Sequence, residues 1–341
     1  MILRPKSLPR HTGPLPGATI ATPVVLVPAW LRRAVPDAQS LAAKDVEDVA
    51  LAAGAALGAL DAVVRREEKW AGAWRQRLAL AAAAVTAKQA GRVEDEHALR
   101  DAVLLTRPGD FLSVGPAGLL LLAWRRLAAR PAEELLTEKN LAAVLEEFGY
   151  APDDEVLSDL ADELGQLGAG MVEMLTGAFM VAERQGFGRA VGAWLADALL
   201  AQRLGWTHAV PLLGTETALG RGLSRPRGVA GNIAPVNVET GSDRTKSLLA
   251  AQAHAVLRAI DLCTALERRA ERLLAVVPKL RAKGSHAIVD RLLNEDALVA
   301  SRAEQKTGMS DRGLRRLFDR LVELGAVREL SGRLTFRIYG L

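Results

Sequence analysis

The chain has 341 residues, 50% of them hydrophobic, and a formal net charge of +4. This composition is typical of globular proteins and excludes disorder over the whole length. Aromatic residues make up only 4%, which disfavours an aromatic-rich β fold. The single cysteine, Cys263, excludes an intrachain disulfide framework and a multi-cysteine zinc site. A charge of +4 spread over this length permits contact with nucleic acid but does not indicate it.

Residues 1–39 are rich in proline, which predicts an irregular N-terminal arm that lies extended on the surface or is partly disordered. These prolines also interrupt the basic start of the chain, which therefore lacks the apolar helix of a secretory signal. No apolar run reaches the roughly 18 residues that a membrane span needs. We therefore expect a cytoplasmic bacterial protein that does not enter a membrane.

Apolar residues recur at three- and four-residue spacing between residues 40 and 284, which predicts a domain of many helices. Capping residues and turn signals divide this pattern, and Gly205 is the expected left-handed residue after one helix. Residues 205–242 contain seven glycines and three prolines, which predicts a long loop on the surface. The predicted helices cover residues 45–64, 70–85, 94–105, 115–129, 131–149, a segment from 152, 188–204 and 243–274.

The pattern of residues 285–341 predicts a winged helix-turn-helix. Three helices are expected over 287–293, 299–307 and 311–324, with Ser310 as an N-cap, Gly325 after the last helix, and Val322 in its apolar inner stripe. The apolar period then changes to two, which predicts a two-stranded β hairpin over 327–330 and 334–339, with Phe336 and Ile338 on one face. The predicted fold class is therefore mainly α, a multi-helix α body followed by this winged helix.

The basic residues of residues 285–341 predict contact with double-stranded DNA. Three arginines of the third helix follow each other at four-residue steps, so they share one outer face that can enter a major groove. The candidates for DNA contact are Arg302, Lys306, Arg312, Arg315, Arg316, Arg320, Arg333 and Arg337. Neighbouring acids could neutralise this face, and winged helices also bind proteins, so a solvated or protein-binding surface is the other interpretation. The acids are Asp311, Asp319 and Glu323.

The preferred hypothesis is a DNA-associated protein for transcriptional regulation or plasmid maintenance, whose helical body forms homodimers or contacts partners. The alternative is an enzyme or a small-ligand sensor with a pocket in that body. Four carboxylates lie in strongly apolar helices, where Arg100, Arg203 or Arg258 could pair with them. They are Asp61, Asp101, Asp197 and Asp261.

No other motif predicts a catalytic residue, a metal or a cofactor. Glu94 and His97 have the Glu-x-x-His spacing of di-iron bundles, but a second copy is missing. The stretch 241–247 is similar to a phosphate-binding loop, but no glycine directly precedes Lys246. His254 and Cys263 share a helix without forming an acid–base arrangement.

Four stretches together resemble one family of bacterial proteins. They are WAGAWRQRLALAAAAVTAKQA from residue 70, EDEHALRDAVLL from 94, WLADALLAQRLGW from 194, and MSDRGLRRLFDRLVELGAVRELSGRLTFRIYGL from 309. The family consists of uncharacterised alphaproteobacterial proteins, frequent in rhizobia and often plasmid-borne, that share a domain of unknown function. The resemblance covers the chain from about residue 40 and implies no activity, cofactor or site residue. Residues 321–339 also resemble the tail of some Fic-type enzymes, whose His-Pro-Phe motif is absent.

Overall fold

The computed structural model describes residues 27–106, 110–217, 241–280, 282, 284–295, 297–300, 308–332 and 336–341. This part of the chain is mainly helical, with a small three-stranded antiparallel sheet near the C terminus. The helices are α1 (Ala29–Ala34), α2 (Ala38–Ala42), α3 (Val46–Val64), α4 (Ala71–Gln89), α5 (Glu96–Leu105), α6 (Gly115–Ala129), α7 (Glu138–Glu147), α8 (Asp154–Gly165), α9 (Met171–Arg184), α10 (Arg189–Leu204), α11 (Gly241–Val276), α12 (Ser285–Asn294) and α13 (Asp311–Glu323). The strands are β1 (Ala297–Val299), β2 (Arg328–Glu329) and β3 (Ile338–Gly340).

Local signals place most helix ends correctly. Asp95 caps α5 by accepting a hydrogen bond from the amide of Ala98 at 2.8 Å, and Asp153 caps α8 through the amide of Val156 at 2.9 Å. Gly205 ends α10 with a φ of 64°, as a left-handed residue after a helix does. The helix expected over 131–149 differs, because a 3₁₀ turn (Ala132–Glu134) precedes α7.

Three buried tryptophans connect the central helices of the body. The indole N–H of Trp74 on α4 donates to the carbonyl of Ala259 on α11 at 2.9 Å. Trp124 on α6 donates to Thr86 on α4 at 3.0 Å, and Trp194 on α10 donates to a carbonyl of α6 at 3.0 Å. Each ring fills the core while its one polar atom has a partner, which avoids the cost of burying a free N–H group. The few aromatic residues thus fix how α4, α6, α10 and α11 pack.

The described part of the predicted N-terminal arm is helical and packs into the core. Residues 1–26 lie outside the described residues, but α1 and the start of α2 fall within the range 1–39. Leu31, Val35 and Leu41 are buried against the body. The prediction of an irregular surface arm is therefore wrong for residues 29–39, because burial of these side chains offsets the disorder that the prolines suggested.

The predicted surface loop over residues 205–242 also begins in the core. Trp206, Val210 and Leu213 are almost completely buried, and the 3₁₀ turn Leu213–Thr215 packs against α4 and α10. The prediction of a surface excursion is wrong for this part. Residues 218–240 lie outside the described residues.

In the part of the chain that the structure describes, one helix has the length and mean hydropathy of a membrane span, although no uninterrupted apolar run does. This segment, Gly241–Lys279, contains an 18-residue window with a mean hydropathy of 1.2. Two-thirds of that window (67%) is buried inside the protein, as in the central helix of a soluble protein. The helix packs along α3 and α2, so its apolar residues form the core of the body.

The C-terminal sheet has three strands in the order β1-β3-β2, instead of the predicted two. The third strand is β1, which ends at Val299, where the sequence predicts the start of a helix over 299–307; residues 301–307 lie outside the described residues. The prediction that Phe336 shares one face with Ile338 is wrong, because Ile338 is buried. Phe336 is 65% exposed with a φ of 58°, which interrupts the extended backbone. Val322 is also exposed, outside the buried stripe of α13.

Both faces of the central strand β3 are covered, so its burial is continuous and does not alternate. Phe318 of α13 stacks on Tyr339 with ring centroids 4.4 Å apart. On the other face, Ile338 forms a small cluster with Val299 of β1, and Leu104 of α5 packs against it. The period of two predicted a strand over 334–339, whereas the three residues of β3 itself are all buried.

The described residues of the segment 285–341 pack directly on the helical body. Helix α12 lies against α4, where Gly72 approaches Asn294 so closely that a Cβ atom would lie 2.8 Å from the Cα atom of Asn294. Arg269 of α11 donates to the carbonyl of Leu341 at 3.1 Å, and Arg100 of α5 donates to that of Leu330 at 3.3 Å. The proposed division into domains at residue 284 stays a prediction.

Candidate functional site

The outer face of α13 presents the arginines that the sequence singled out. Ser310 caps this helix, and its buried stripe packs Leu314 and Phe318 inward. The opposite face is therefore turned to solvent. Four arginines are exposed on it: Arg312, Arg315, Arg316 and Arg320.

Acids neutralise part of this face. Arg315 pairs with Asp311 at 2.8 Å and Arg320 with Glu323 at 2.9 Å, both among exposed side chains. Such exposed pairs contribute only about 0.2–1 kcal/mol each, so they exchange readily for another anion. Within the described residues, Arg312 and Arg316 have no ion pair and no side-chain hydrogen bond.

The hairpin arginine Arg337 is directed toward acids, not away from them. Its nearest carboxylates are Asp319 of α13 at 3.6 Å and Glu329 of β2 at 3.9 Å. Arg302, Lys306 and Arg333 lie outside the described residues. The structure therefore brings four candidate arginines together on α13, with Arg337 at the sheet beside them.

Three of the four body carboxylates form polar contacts of a structural kind. Asp61 pairs with Arg65 at 2.8 Å and accepts from the indole of Trp206, also at 2.8 Å. Asp101 pairs with Arg100 at 3.0 Å, as the sequence allowed. Asp261 accepts two hydrogen bonds from Arg32 of α1, at 2.7 and 3.1 Å, instead of pairing with Arg258.

Asp197 differs because no arginine of the described residues neutralises it. The side chain is 1% exposed and accepts from the backbone amides of Leu212 at 2.7 Å and Leu213 at 3.1 Å. Burial raises the pKa of Asp197 to about 7, and the amide donors offset part of that effect. The carboxyl therefore holds the 206–216 segment onto α10.

A second buried carboxylate belongs to Glu216, for which no sequence pattern predicts a role. It lies at the end of the 206–216 segment, and its Oε1 atom is 3.0 Å from Nδ1 of His254 and 3.6 Å from Arg258 of the same helix. The carboxylate orients the imidazole ring, as in a histidine used for proton transfer. Nothing in the spacing of residues 216 and 254 reveals this pair.

The cysteine on the same helix is not an activated nucleophile. Cys263 is buried, and burial raises the pKa of its thiol to about 11, with the charge of Glu267 adding to the effect. A thiol with such a pKa remains protonated at neutral pH, whereas nucleophilic cysteines need the thiolate.

Cys263 contributes to the wall of a cleft of about 360 Å³ between the body and α12. The cleft is formed by the end of α3, the start of α4, residues 207–210, α11 and the last residue of α12. Its polar groups include Arg75 and His208, and its apolar wall includes Trp70 and Trp74. No sequence pattern indicates a role for either polar residue.

The comparison with known proteins agrees with the resemblance seen in the sequence. Residues 18–341 match the family described as Protein of unknown function (DUF1403). The chain belongs to the DUF1403 family. No protein with a curated description matches it. Membership in a family of unknown function is thereby confirmed, while the alphaproteobacterial origin stays a prediction.

The weaker motifs of this DUF1403 protein form ordinary helix ends. Glu94 lies 3.8 Å from Arg92, and His97 lies 3.9 Å from Asp95, so the two residues of the Glu-x-x-His pair have different partners. In the described ranges, no group of three or more His, Cys, Asp or Glu side chains could hold a metal ion. The stretch 241–247 is the first part of α11, where Lys246 pairs with an acid of the same turn at 3.4 Å.

Proposed function

We propose that residues 285–341 form a winged helix that binds double-stranded DNA through the exposed face of α13. The observation that carries the proposal is the pair Arg312 and Arg316, exposed one turn apart with no acid partner in the described part of the chain. The helical body would provide dimerisation or partner contacts. Transcriptional regulation or plasmid maintenance are the processes this arrangement suits.

The order of the elements supports this proposal. Helix α12, strand β1, helix α13 and strands β2 and β3 follow each other, and the strands pair as β1-β3-β2. A winged helix has this order, with one more helix between β1 and α13. Residues 301–307, where that helix would be, lie outside the described residues. In helix-turn-helix proteins the helix in the position of α13 enters the major groove.

The charges of α13 agree with phosphate or base contact. Two guanidinium groups on one helix face can each donate hydrogen bonds to a phosphate oxygen or to the edge of a guanine. Arg315 and Arg320 can join them when DNA replaces their exposed acid partners, at a cost of about 0.2–1 kcal/mol per pair. The nearby acids repel phosphate, so we expect a modest affinity for DNA. The phosphate contacts of the arginines should make that affinity depend strongly on salt.

A titration with labelled duplex DNA tests the proposal. Fluorescence anisotropy of a duplex of about 30 base pairs, roughly three helical turns, would be measured between about 50 and 200 mM salt. We expect wild-type affinity to fall steeply with salt. The double variant Arg312→Glu/Arg316→Glu should bind weakly, and the magnitude of its salt slope should be lower by about 0.9 for each phosphate that is no longer neutralised.

A matched control shows whether weaker DNA binding comes from loss of the α13 face or only from the change in net charge. Arg33 on α1 and Lys44 just after α2 are exposed without an ion pair in the described part of the chain, so Arg33→Glu/Lys44→Glu makes the same change in net charge. We expect this control to bind DNA almost as wild type does. Equal weakening in both double variants, or wild-type protein without salt-dependent binding, would overturn the proposal.

The competing possibility is an enzyme or ligand sensor with a pocket in the body, in which residues 285–341 serve only for packing. The cleft beside α12 is the observation that favours a ligand. If the protein is a sensor that also binds DNA, the α13 variants should bind the duplex more weakly than wild type does. If residues 285–341 serve only for packing, neither the wild-type protein nor any variant should bind the duplex.

A further inference from the structure

The cleft beside α12 contains a guanidinium group with no acid within ion-pair distance among the described residues. Arg75 lines the cleft, and its Nε atom donates to the carbonyl of Ala128 at 3.0 Å. In the same part of the chain, its two terminal nitrogens have no hydrogen bond and no ion pair. Burial lowers the pKa of Arg75 to about 10, although the charge of Glu67 acts in the opposite direction, and the guanidinium stays charged at neutral pH. A half-buried guanidinium whose terminal donors have no acceptor among the described residues can bind an anionic ligand, which would supply those acceptors.

His208 faces the same cleft from the 206–216 segment. Its ring is half-buried and has no hydrogen-bond partner in the described part of the chain. Burial lowers the pKa of His208, and the charge of Arg75 lowers it further, while Glu67 acts in the opposite direction. The neutral imidazole can therefore donate one hydrogen bond beside the guanidinium. Two donors without acceptors in the described residues thus meet in one cleft.

We propose that this cleft binds a small carboxylic acid with a flat apolar body. Arg75 would hold the carboxylate through its two terminal nitrogens, the geometry in which guanidinium and carboxylate form two parallel hydrogen bonds. The rings of Trp70 and Trp74 and the side chain of Val63 form an apolar wall for the rest of the ligand.

The acids at the cleft favour a carboxylate over a phosphate. Glu67 and Glu68 belong to the lining, and Glu68 is already paired with Arg66 at 2.6 Å. Glu67 has no ion pair among the described residues; its charge acts on Arg75 and His208 and also repels an anion. That repulsion is greater for a doubly charged phosphate monoester than for a singly charged carboxylate.

The backbone at this cleft is unusual in a way that agrees with a binding role. Glu67 has a φ of 44°, in the left-handed region that non-glycine residues rarely adopt. Residues in such conformations occur often at ligand sites, where the surrounding structure holds them in place. The turn brings Glu67 to the cleft between α3 and α4.

Calorimetric titration with benzoate, and with its neutral analogue benzamide, tests the site on the wild-type protein. The two probes have nearly the same shape and differ in charge. We expect saturable binding of benzoate at least about tenfold tighter than of benzamide, because a charge-assisted pair with Arg75 forms only with the acid. Acetate and 1-naphthoate extend the test to acids with a smaller and a larger apolar part. Equal affinity for benzoate and benzamide, or saturable binding of none of the three acids, would overturn the proposal.

Variants of Arg75 locate the site. Arg75→Gln should weaken benzoate binding about tenfold or more, and Arg75→Lys should restore part of it because the charge returns. Arg33→Gln removes an exposed arginine elsewhere and should leave binding unchanged. Thermal unfolding of each variant is measured first, so that weaker binding is not confused with a failure to fold. If a folded Arg75→Gln protein binds benzoate as wild type does, the carboxylate lies elsewhere and the proposal is wrong.

This site is independent of the proposed DNA interface. Its residues belong to α3, the turn between α3 and α4, α4, α11, the 206–216 segment and the end of α12, while the DNA proposal rests on α13. Benzoate binding is measured without DNA, and duplex binding is measured without benzoate. Failure of either result therefore leaves the other intact.

Discussion

Gly214 lies at a point where the 206–216 segment touches the buried indole ring of Trp124. A Cβ atom at this position would overlap Cη2 and Cζ2 of Trp124 and would lie 2.7 Å from Cζ3, far inside the roughly 3.5–4.0 Å optimum between carbon atoms. The ring has little freedom to move, because Trp124 is fully buried and its N–H group donates to Thr86 at 3.0 Å. The φ of Gly214 lies outside the left-handed region, so steric overlap alone makes alanine unfavourable.

We therefore expect Gly214→Ala to lower the free energy of unfolding by about 3 kcal/mol, the upper part of the range for overpacked cores. Urea denaturation followed by far-UV circular dichroism measures this change. Gly58→Ala on α3 is the matched control: its Cβ atom would meet nothing within 4 Å, so alanine should stabilise the helix by about 0.5–1 kcal/mol.

A second substitution separates steric overlap from other effects of Gly214→Ala. Trp124→Phe removes part of the ring that the new methyl group would meet, so alanine should cost less in that background than in wild type. Equal costs in the two backgrounds would refute the steric reasoning. So would a Gly214→Ala protein as stable as the Gly58→Ala control.

Two further predictions concern α12 and the buried acid. Gly72→Ala places a Cβ atom 2.8 Å from the backbone of Asn294, so urea denaturation should show a loss of about 1–3 kcal/mol; unchanged stability would contradict this packing. Asp197 has a folded pKa of about 7 against 3.8 unfolded, so wild-type stability should fall relative to Asp197→Asn by up to about 4 kcal/mol as pH rises from 4 to 7. Parallel stability curves between pH 4 and 8 would contradict this.

Helices with local start and stop signals could be predicted from the sequence. Helix α6 has the predicted bounds, and α10 ends at Gly205 as expected. These ends depend on residues within a turn of each other. Strand β1 could not be found in the same way, because it has three residues and exists through pairing with β3, for example of Ala297 with Gly340. Such partners are distant in sequence, and no local pattern reports them.

The two wrong predictions of a surface position have one physical cause. Proline and glycine indicate where helices end, but in residues 27–39 and 206–216 they do not indicate a surface position. Leu31 and Leu213 are buried there, because other helices leave apolar surface that these irregular segments cover. Their backbone groups are satisfied by contacts such as those of the Asp197 carboxylate with two amides. Irregular backbone can thus belong to the core where a buried polar side chain provides the missing partner.

The same limit applies to the charged sites. Helical spacing correctly places Arg312 and Arg316 on an outer face, since the direction of a side chain depends on its own helix. Whether a guanidinium is neutralised depends on acids from anywhere in the chain: Asp261 meets Arg32 from α1, while Arg75 meets no acid within ion-pair distance in the described residues. A sequence pattern therefore identifies arginines that share a face. Only the structure identifies Arg75, a guanidinium group in a cleft with no acid within ion-pair distance among the described residues.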